Sequence, residues 1–297
     1  MKRAAILAPR KYRDMPMLYK SFTHSKFGSK CKNKNLNFVP LGALSTNISV
    51  LIKNFLYETG RYLLFLRRVF SRPEKWRLSV RQFFVETEKL VINSIPLIAL
   101  ISVFIGAVLV IQTSNNMTSP FLPKMYIGYM TRESLILEFC STMVCLILAG
   151  KIGSNISSEL GTMRITEQID AMEMMGINSA NFLVLPKILA TTILNPLLTL
   201  MSFIVGLLGG YLIIVLTGMI KVSDYLTGIQ FAFNGYYITY SLIKTAVFSF
   251  IISSISAFYG YCATGGSLGV GRSATKAIVV ASALILTFNL ILTRIML

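Results

Sequence analysis

The feature that most constrains this chain is a series of apolar runs, each about 20 residues long, between Leu90 and Leu297. A helix of about 20 apolar residues spans the hydrocarbon core of a bilayer. Charged residues make up only 14% of the 297 residues, whereas a soluble domain carries about 25%. These observations exclude an ordinary soluble enzyme and predict an all-α integral membrane protein.

Five of the runs are long enough to span, and they define a transmembrane domain over residues 90–297. Before them, Asn47–Phe70 has apolar residues at i, i+3/i+4 spacing, interrupted by four basic residues. We therefore predict an interfacial amphipathic helix and elbow over residues 46–89, and a basic, disordered tail over residues 1–45. The predicted spans are residues 91–111, 134–150, 187–217, 237–260 and 276–295.

Basic residues are unevenly distributed along the chain. Residues 1–89 contain 19 Lys/Arg and 5 Asp/Glu, whereas residues 90–297 contain 10 and 7. Nucleic-acid binding would explain a basic tail, but we favour cytoplasmic retention beside anionic lipid because spans follow it. With the N-terminus inside, inner segments carry 24 Lys/Arg and outer segments carry 4. The positive-inside rule thus predicts an N-in, C-out topology.

The third apolar run, residues 187–217, is too long for a simple crossing. At about 1.5 Å per residue its helix would measure about 46 Å, against a hydrocarbon core of about 30 Å. It must tilt, protrude or break. The weak points are Asn195–Pro196 and the glycines Gly206, Gly209 and Gly210.

Residues for metal or nucleophilic chemistry are scarce. The four cysteines form no CxxC pair, and the single histidine, His24, lies in the polar tail. The histidine and paired cysteine residues that a zinc site or Cys–His or Ser–His catalysis would need are therefore missing. Cys140 and Cys145 are interpreted as small apolar residues within a span. We predict no metal site and no catalytic residue.

The inner connection between spans two and three carries the most informative pattern. Glu167, Asp170 and Glu173 are spaced by three, so a helix would place them on one face, with apolar residues on another. We expect a helix at about residues 157–176, which Gly176 is placed to end. Such a helix suits docking onto a soluble partner. A helix lying against its own bundle fits the pattern equally well.

A glycine-rich stretch between spans four and five nearly fits the P-loop pattern. It contains Gly266, Gly269, Gly271 and Arg272, with Arg in place of the usual Lys. A P-loop follows a strand in a soluble α/β domain, whereas spans flank this stretch. We therefore interpret it as a glycine turn on the inner side, with contact to a partner ATPase as the functional alternative.

Two charges lie inside predicted spans. Glu138 is about four residues into span two, and Lys244 is about seven residues into span four, both from the outer end. At about 1.5 Å per residue, both lie roughly 6–10 Å deep on the same side. Charges there are costly and usually face a partner or a wet cavity. We expect the two to pair with each other or to engage a lipid headgroup; a snorkelling pair without a transport role is the alternative.

Two long motifs resemble the signatures of the MlaE-type permeases, the membrane subunits of bacterial ABC transporters that move phospholipid with MCE-domain proteins. The first motif is Glu159–Gly176 and the second is Gly260–Lys276, in the family's order. The shorter stretches Leu135–Phe139 and Ala149–Gly153 also fit. The similarity runs from about Asn54 to the C-terminus.

The resemblance implies an interfacial helix, five spans and a homodimer in the bacterial inner membrane, an organelle envelope being the alternative. It implies that span two lines a lipid pocket, to which we assign Glu138, Lys244 and Asn289. Asn289 replaces an Asp that many members carry, and an interhelical hydrogen bond is its simplest use. The implied ATPase-coupling helix contains Glu159, Arg164, Glu167, Asp170 and Glu173.

Partners follow from the same resemblance. The partner ATPase would hold ATP and Mg²⁺, so this chain needs no cofactor of its own. An MCE-domain protein on the periplasmic side and a STAS-type cytoplasmic subunit are further expected partners, the substrate is phospholipid, and no nucleic acid is expected. A membrane acyl- or phosphotransferase would need clustered acidic or histidine residues at the membrane face. A scaffold that anchors partners without a lipid pathway would lack a lipid pocket.

Overall fold

The computed structural model describes the backbone of residues 44–71, 76–117 and 123–297, and the side chains of residues 56–71, 80–117 and 123–297. Helices build all of the regular structure in these ranges. Residues 1–43 of the predicted basic tail lie outside them. The α-helices are α1 (Leu44–Val69), α2 (Trp76–Glu86), α3 (Ile95–Asn116), α4 (Met125–Ser134), α5 (Val144–Ile165), α6 (Gln168–Met174), α7 (Ser179–Thr217), α8 (Val222–Gln230), α9 (Tyr236–Tyr261) and α10 (Gly266–Met296).

Short π- and 3₁₀-helical segments join some of these helices into longer rods. Thr87–Val91 is π-helical and Ile92–Ser94 is a 3₁₀ turn, so α2 continues into α3. Leu135–Met143 is π-helical and joins α4 to α5. Five stretches are long and apolar enough to cross a membrane: Val80–Asn116, Met125–Ile165, Ser179–Thr217, Tyr236–Tyr261 and Gly266–Met296.

These five stretches confirm the prediction of an all-α membrane protein with five spans. A helix, α1, also occupies the region of the predicted amphipathic segment. Its location in the interface and the N-in, C-out orientation stay predictions. The terms "inner" and "outer" denote the ends of the bundle that are predicted to face the cytoplasm and the opposite side.

The second stretch is much longer than the predicted span at residues 134–150. Its inner extension contains small residues that let α5 continue against two neighbours. A Cβ on Gly153 would lie 2.9 Å from Ser256 Oγ of α9, and one on Gly161 would lie 2.9 Å from Val270 Cγ1 of α10. The polar residues that follow the predicted span, and that the sequence assigns to the inner connection, are therefore part of the packed bundle.

The third stretch, α7, does not break. Its 39 residues run through Pro186 and Pro196 without interruption and measure about 58 Å at about 1.5 Å per residue. Neighbouring helices and polar side chains make proline tolerable inside a membrane helix. Here the buried Asn195 donates from Nδ2 to Ser249 Oγ of α9 over 2.9 Å. Of the three alternatives for this run, a break at Asn195–Pro196 or at the glycines does not occur, and tilt or protrusion of a continuous helix remain.

Helices α3 and α7 touch through their backbones. A Cβ on Gly106 would lie 1.8 Å from the carbonyl oxygen of Gly206, and one on Gly209 would lie 2.3 Å from the carbonyl oxygen of Val103. Small residues at such crossings let membrane helices approach closely, which favours van der Waals packing. The hydroxyls of Ser102 and Ser202 add a buried hydrogen bond of 2.7 Å at the same interface.

Helix α9 lies at the centre of the bundle, against α5, α7 and α10. Of the five candidate spans in the described residues, α9 is the most buried and α10 the least. The buried face of α9 is rich in serine, which allows close packing. At the inner end, Phe65 and Val69 of α1 are fully buried, and Phe65 stacks near Phe258 and Tyr261 of α9.

The outer end is closed by α4 and α8, which are packed glycine to glycine. A Cβ on Gly228 would lie 2.0 Å from the carbonyl oxygen of Met125. The buried Arg132 guanidinium donates to the carbonyl oxygens of Ile229 and Phe231, at 2.6 and 2.8 Å, and pairs with Glu133. Burial raises the pKa of Tyr225 to about 12, and its hydroxyl donates to the Leu207 carbonyl of α7.

The glycine contact yields a stability prediction. Gly106→Ala should force α3 and α7 apart and destabilise the protein by roughly 1–3 kcal/mol, as overpacking of a tight interface does. Gly150→Ala is the matched control, because a Cβ there meets nothing within 4 Å, and it should be neutral or stabilise by up to about 1 kcal/mol. Thermal unfolding in detergent measures both, and equal midpoints would contradict the backbone contact.

Candidate functional site

Three polar residues from three helices meet inside the outer half of the bundle, and we call Glu138, Lys244 and Asn289 the outer cluster. Glu138 lies on the π-helical segment Leu135–Met143, Lys244 on α9 and Asn289 on α10. Lys244 Nζ lies 2.9 Å from Glu138 Oε1. The two charges therefore pair with each other, which is one of the alternatives expected from their depth, and contact with a lipid headgroup stays a prediction.

The ammonium group of Lys244 is fully satisfied. Besides Glu138, its Nζ donates to the Leu137 carbonyl oxygen and to the Tyr240 hydroxyl, both at 3.1 Å. The Lys244 side chain is 0% exposed. A buried charge is stable only when it is paired and hydrogen-bonded, so the three acceptors explain how a lysine can sit within a span.

The carboxylate of Glu138 is held differently, because its side chain is 43% exposed. Oε2 accepts from Asn289 Nδ2 and Thr142 Oγ1, both at 3.1 Å, and Oε1 lies 3.4 Å from Thr293 Oγ1. Lys244, Thr142 and two residues of α10 thus bind the carboxylate from inside the bundle, while the rest of the Glu138 side chain stays exposed. A half-exposed carboxylate within a span can accept hydrogen bonds from a polar group that enters the membrane.

Asn289 makes the interhelical hydrogen bond expected for it. Its Nδ2 donates to Glu138, and its Oδ1 lies 3.2 Å from Thr142 Oγ1. An aspartate at this position would place a second carboxylate against Glu138. With one lysine for two carboxylates, one of them would gain a proton or a further cation. The asparagine therefore keeps this cluster neutral with a single ion pair.

The inner connection is not the single helix predicted for residues 157–176. Helix α5 ends at Ile165, Glu167 takes a left-handed backbone conformation with φ 61°, and the short helix α6 follows. Gly176, at φ 81°, does end α6 as predicted. The turn at Glu167 changes the direction of the chain, so the expected row of Glu167, Asp170 and Glu173 on one helix does not form.

Most of the predicted coupling side chains bind within the chain itself. Glu159 lies 2.9 Å from Lys187 and 3.0 Å from Lys89. Arg164 pairs with Asp170 over 2.5 Å, and Glu173 pairs with Arg68 over 2.9 Å. Glu167 is exposed, and the Asp170 side chain stays 49% exposed although it is paired. The acidic residues therefore fit the alternative in which this segment lies against its own bundle.

Two exposed apolar side chains lie at the end of α6. Met174 is 78% and Met175 is 67% exposed, whereas Ile169 near the start of the helix is completely buried. We call Met174 and Met175 the methionine pair. Methionine side chains are flexible and polarizable, and they recur on surfaces that bind partners. The pair is the largest exposed apolar feature of this segment, and the role of the acidic residues in docking stays a prediction.

Lys187 and Glu86 form a polar contact that the sequence did not predict. The Lys187 ammonium is 2% exposed and lies 2.5 Å from Glu86 and 2.9 Å from Glu159, so it joins α2, α5 and α7. Lys187 was expected only as the start of a span on the inner side. One sequence pattern could have indicated that this lysine is buried. It is a row of polar residues at four-residue spacing in an otherwise apolar helix, Lys187, Thr191, Asn195 and Thr199.

The glycine-rich stretch belongs to a helix and not to the inner loop predicted for it. Gly266 begins α10, so Gly269, Gly271 and Arg272 lie in its first turns. Gly265 and Gly266 have positive φ and turn the chain after α9. A Cβ on Gly269 would lie 1.9 Å from the Thr264 carbonyl oxygen. The glycines therefore serve a tight helix–helix connection, and the stretch follows a helix where a P-loop would follow a strand.

Comparison with known proteins agrees with this architecture. Residues 83–295 match the family described as Permease MlaE. A "Probable ABC transporter permease protein" of Rickettsia bellii is 38% identical over 201 residues, covering 68% of this chain and 77% of the relative. The "Intermembrane phospholipid transport system permease protein MlaE" of Haemophilus influenzae is 30% identical over 262 residues, covering 83% and 98%.

A plant protein is similar as well. "Protein TRIGALACTOSYLDIACYLGLYCEROL 1, chloroplastic" of Arabidopsis thaliana is 30% identical over 214 residues, covering 72% of this chain and 60% of the relative. The family match extends over more than two thirds of the chain and overlaps all five candidate spans. The chain therefore belongs to the MlaE permease family.

Proposed function

We propose that this chain is the permease subunit of an ABC transporter that moves phospholipids between the inner and outer membranes together with an MCE-domain partner. Membership of a permease family supports a multi-pass transport subunit without catalytic residues. ATP and Mg²⁺ would bind a separate ATPase. The proposed location is the bacterial inner membrane, where the predicted orientation places α6 in the cytoplasm.

The observation that carries the proposal is the half-exposed carboxylate of Glu138 inside the bundle. A diffusing lipid needs a polar contact for its headgroup as it leaves the bilayer surface, and bare hydrocarbon offers none. Lys244 is buried directly behind Glu138, so the pair presents a neutral but strongly polar surface. The lipid headgroup would exchange hydrogen bonds with Glu138, while its acyl chains stay on apolar residues.

A second copy of the chain would complete the pocket. Helix α10 is the least buried of the five candidate spans, and its Asn289 borders Glu138. Pairing two copies along this face would enclose the two exposed carboxylates between the subunits. A paired arrangement gives lipid a closed path, whereas a single copy leaves the outer cluster open to the bilayer.

Energy would arrive through the methionine pair. A cytoplasmic ATPase that binds Met174 and Met175 would push α6 against the inner end of the bundle as it closes on ATP. The pocket between the two copies would then open or collapse, and lipid would pass to or from the MCE-domain protein at the outer end. A STAS-type subunit would bind the ATPase on the cytoplasmic side.

Loss of the outer cluster should stop lipid transfer. Glu138→Gln removes the charge with little change in shape, and we expect it to lower ATP-dependent transfer of a fluorescent phospholipid between vesicles at least ~10-fold, a loss of about 1.4 kcal/mol. Lys244→Met should act similarly and also destabilise the chain, because it strands the carboxylate. Size-exclusion chromatography of the complex checks assembly.

Arg294→Gln is the control for charge removal, since Arg294 is exposed near the end of α10 and should leave transfer unchanged. Normal transfer by Glu138→Gln would refute the pocket. It would favour the alternative function, a scaffold that anchors partner proteins without a lipid pathway of its own.

Changes in the methionine pair should prevent docking of the ATPase. Replacing Met174 and Met175 by glutamate puts two charges into an apolar contact, and we expect co-purification of the ATPase to fall at least ~10-fold. Met219→Glu, a methionine at the outer end that is 44% exposed, is the matched control. Retention of the ATPase by the double variant would place the docking surface elsewhere on the chain.

A further inference from the structure

The carboxylate of Glu173 joins four helices at the inner end. Glu173 lies on α6, and its Oε1 accepts from Arg68 Nη2 of α1 at 2.9 Å, from Ser179 Oγ of α7 at 3.0 Å and from Tyr261 OH of α9 at 2.8 Å. The hydroxyls of Ser179 and Tyr261 also lie 2.9 Å from each other. We call these four residues the Glu173 junction.

The junction is rigid on the side of α1. Asn178 Nδ2 donates to the Arg68 carbonyl oxygen, and Asn181 Nδ2 donates to the carbonyl oxygens of Val69 and Ser71 at 2.6 and 2.8 Å. Two amides near the start of α7 therefore satisfy carbonyl groups that the end of α1 leaves free. Consequently, α6, the start of α7 and the end of α1 form one block.

Besides this junction, α6 is held to the bundle by the completely buried Ile169 and by one largely exposed ion pair. The left-handed residue Glu167 interrupts the helix between α5 and α6, so α6 is not a stiff extension of α5. The ion pair of Asp170 with Arg164 crosses this turn, but the Asp170 side chain is 49% exposed, and exposed pairs contribute only about 0–1 kcal/mol. The Glu173 side chain is 12% exposed, so its contacts are less screened by water.

We propose that Glu173 is the positioning residue that transmits movement of α6 to α9, and so to the outer cluster. This inference rests on the proposed function, in which an ATPase pushes on α6. A displacement of α6 pulls on Tyr261 at the inner end of α9. Lys244 lies 17 residues before Tyr261 on the same unbroken helix, a distance of about 26 Å. The block carries α1 along with α6.

The fold of α9 suits this task. It is the most buried of the candidate spans, and neither proline nor glycine interrupts it between Lys244 and Gly260. A helix without a break can move as one body when one end is displaced. Tilting α9 would change the distances from Lys244 to the carbonyl oxygen of Leu137 and to Glu138. The position of the Glu138 carboxylate in the pocket would change with them.

The experiment measures phospholipid transferred per ATP hydrolysed by the purified complex in proteoliposomes. For Glu173→Gln we expect the transfer rate to fall roughly tenfold while ATP hydrolysis stays within about twofold, as loss of coupling between two sites predicts. Tyr261→Phe removes one hydroxyl only, so it preserves packing and should lower the same ratio by roughly threefold or more.

Glu58→Gln is the matched control. Like Glu173, Glu58 on α1 binds one basic side chain and one tyrosine hydroxyl, Lys276 at 3.1 Å and Tyr259 at 3.3 Å, but neither bond reaches α6 and the pair with Lys276 is exposed. Its lipid-to-ATP ratio should match that of the unaltered chain. A lowered ratio in Glu58→Gln equal to that in Glu173→Gln would overturn the assignment to the junction.

The outcomes separate this inference from the proposed function. An unaltered complex that transfers no lipid on ATP refutes the proposed function, and the inference with it. Normal transfer by the unaltered complex with an unchanged ratio in both junction variants refutes only the inference. If Glu173→Gln does not assemble, the ratio in Tyr261→Phe decides: a lowered ratio supports coupling, and an unchanged ratio assigns Glu173 to folding alone.

Discussion

The absence of water in the hydrocarbon core is the constraint on which this structure depends. A buried charge that finds no partner inside the protein is very costly, because the bilayer supplies none. Lys244 meets the requirement with three acceptors, and Lys187 meets it with two carboxylates. One such cluster lies in the outer half of the bundle and one at the inner end, and each binds three separate segments together.

The two clusters differ in a way that bears on their use. The inner one is closed, with Lys187 and its two carboxylates turned toward one another between α2, α5 and α7. The outer one is open on the side of Glu138. Breaking a closed pair mainly costs stability, since a charge is left without a partner. An open pair can exchange one of its hydrogen bonds with an incoming group, which is the property that a transport pathway needs.

Length and hydropathy sufficed to predict the five spans, and depth within the spans sufficed to bring Glu138 and Lys244 together. Both depend on distance along the chain, which sequence records directly. Three other features depend on tertiary contacts. Lys187 is buried because Glu86 and Glu159 arrive from other helices, α5 extends because its glycines meet α9 and α10, and the Thr264 carbonyl leaves no room for a side chain at Gly269 in the first turn of α10.

The left-handed turn at Glu167 was also not predictable, because a glutamate has no preference for positive φ and the pattern around it favours one continuous helix. Burial of Ile169 and the ion pairs of Asp170 and Glu173 draw α6 back against the bundle. The pattern therefore predicted helix in this segment but not the turn that divides it, and its coupling role stays a prediction.

The direct backbone contact between α3 and α7 has a consequence for where the bundle can part. Side chains that interdigitate can slide past one another by changing rotamer, but two main chains with only hydrogen atoms between them have nothing to rearrange. The contact between α3 and α7 at Gly106 and Gly209 is therefore expected to stay closed. Widening of the molecule is therefore expected away from this contact, beside α10, which is the least buried of the five candidate spans in the described residues and carries Asn289 against the open carboxylate of Glu138.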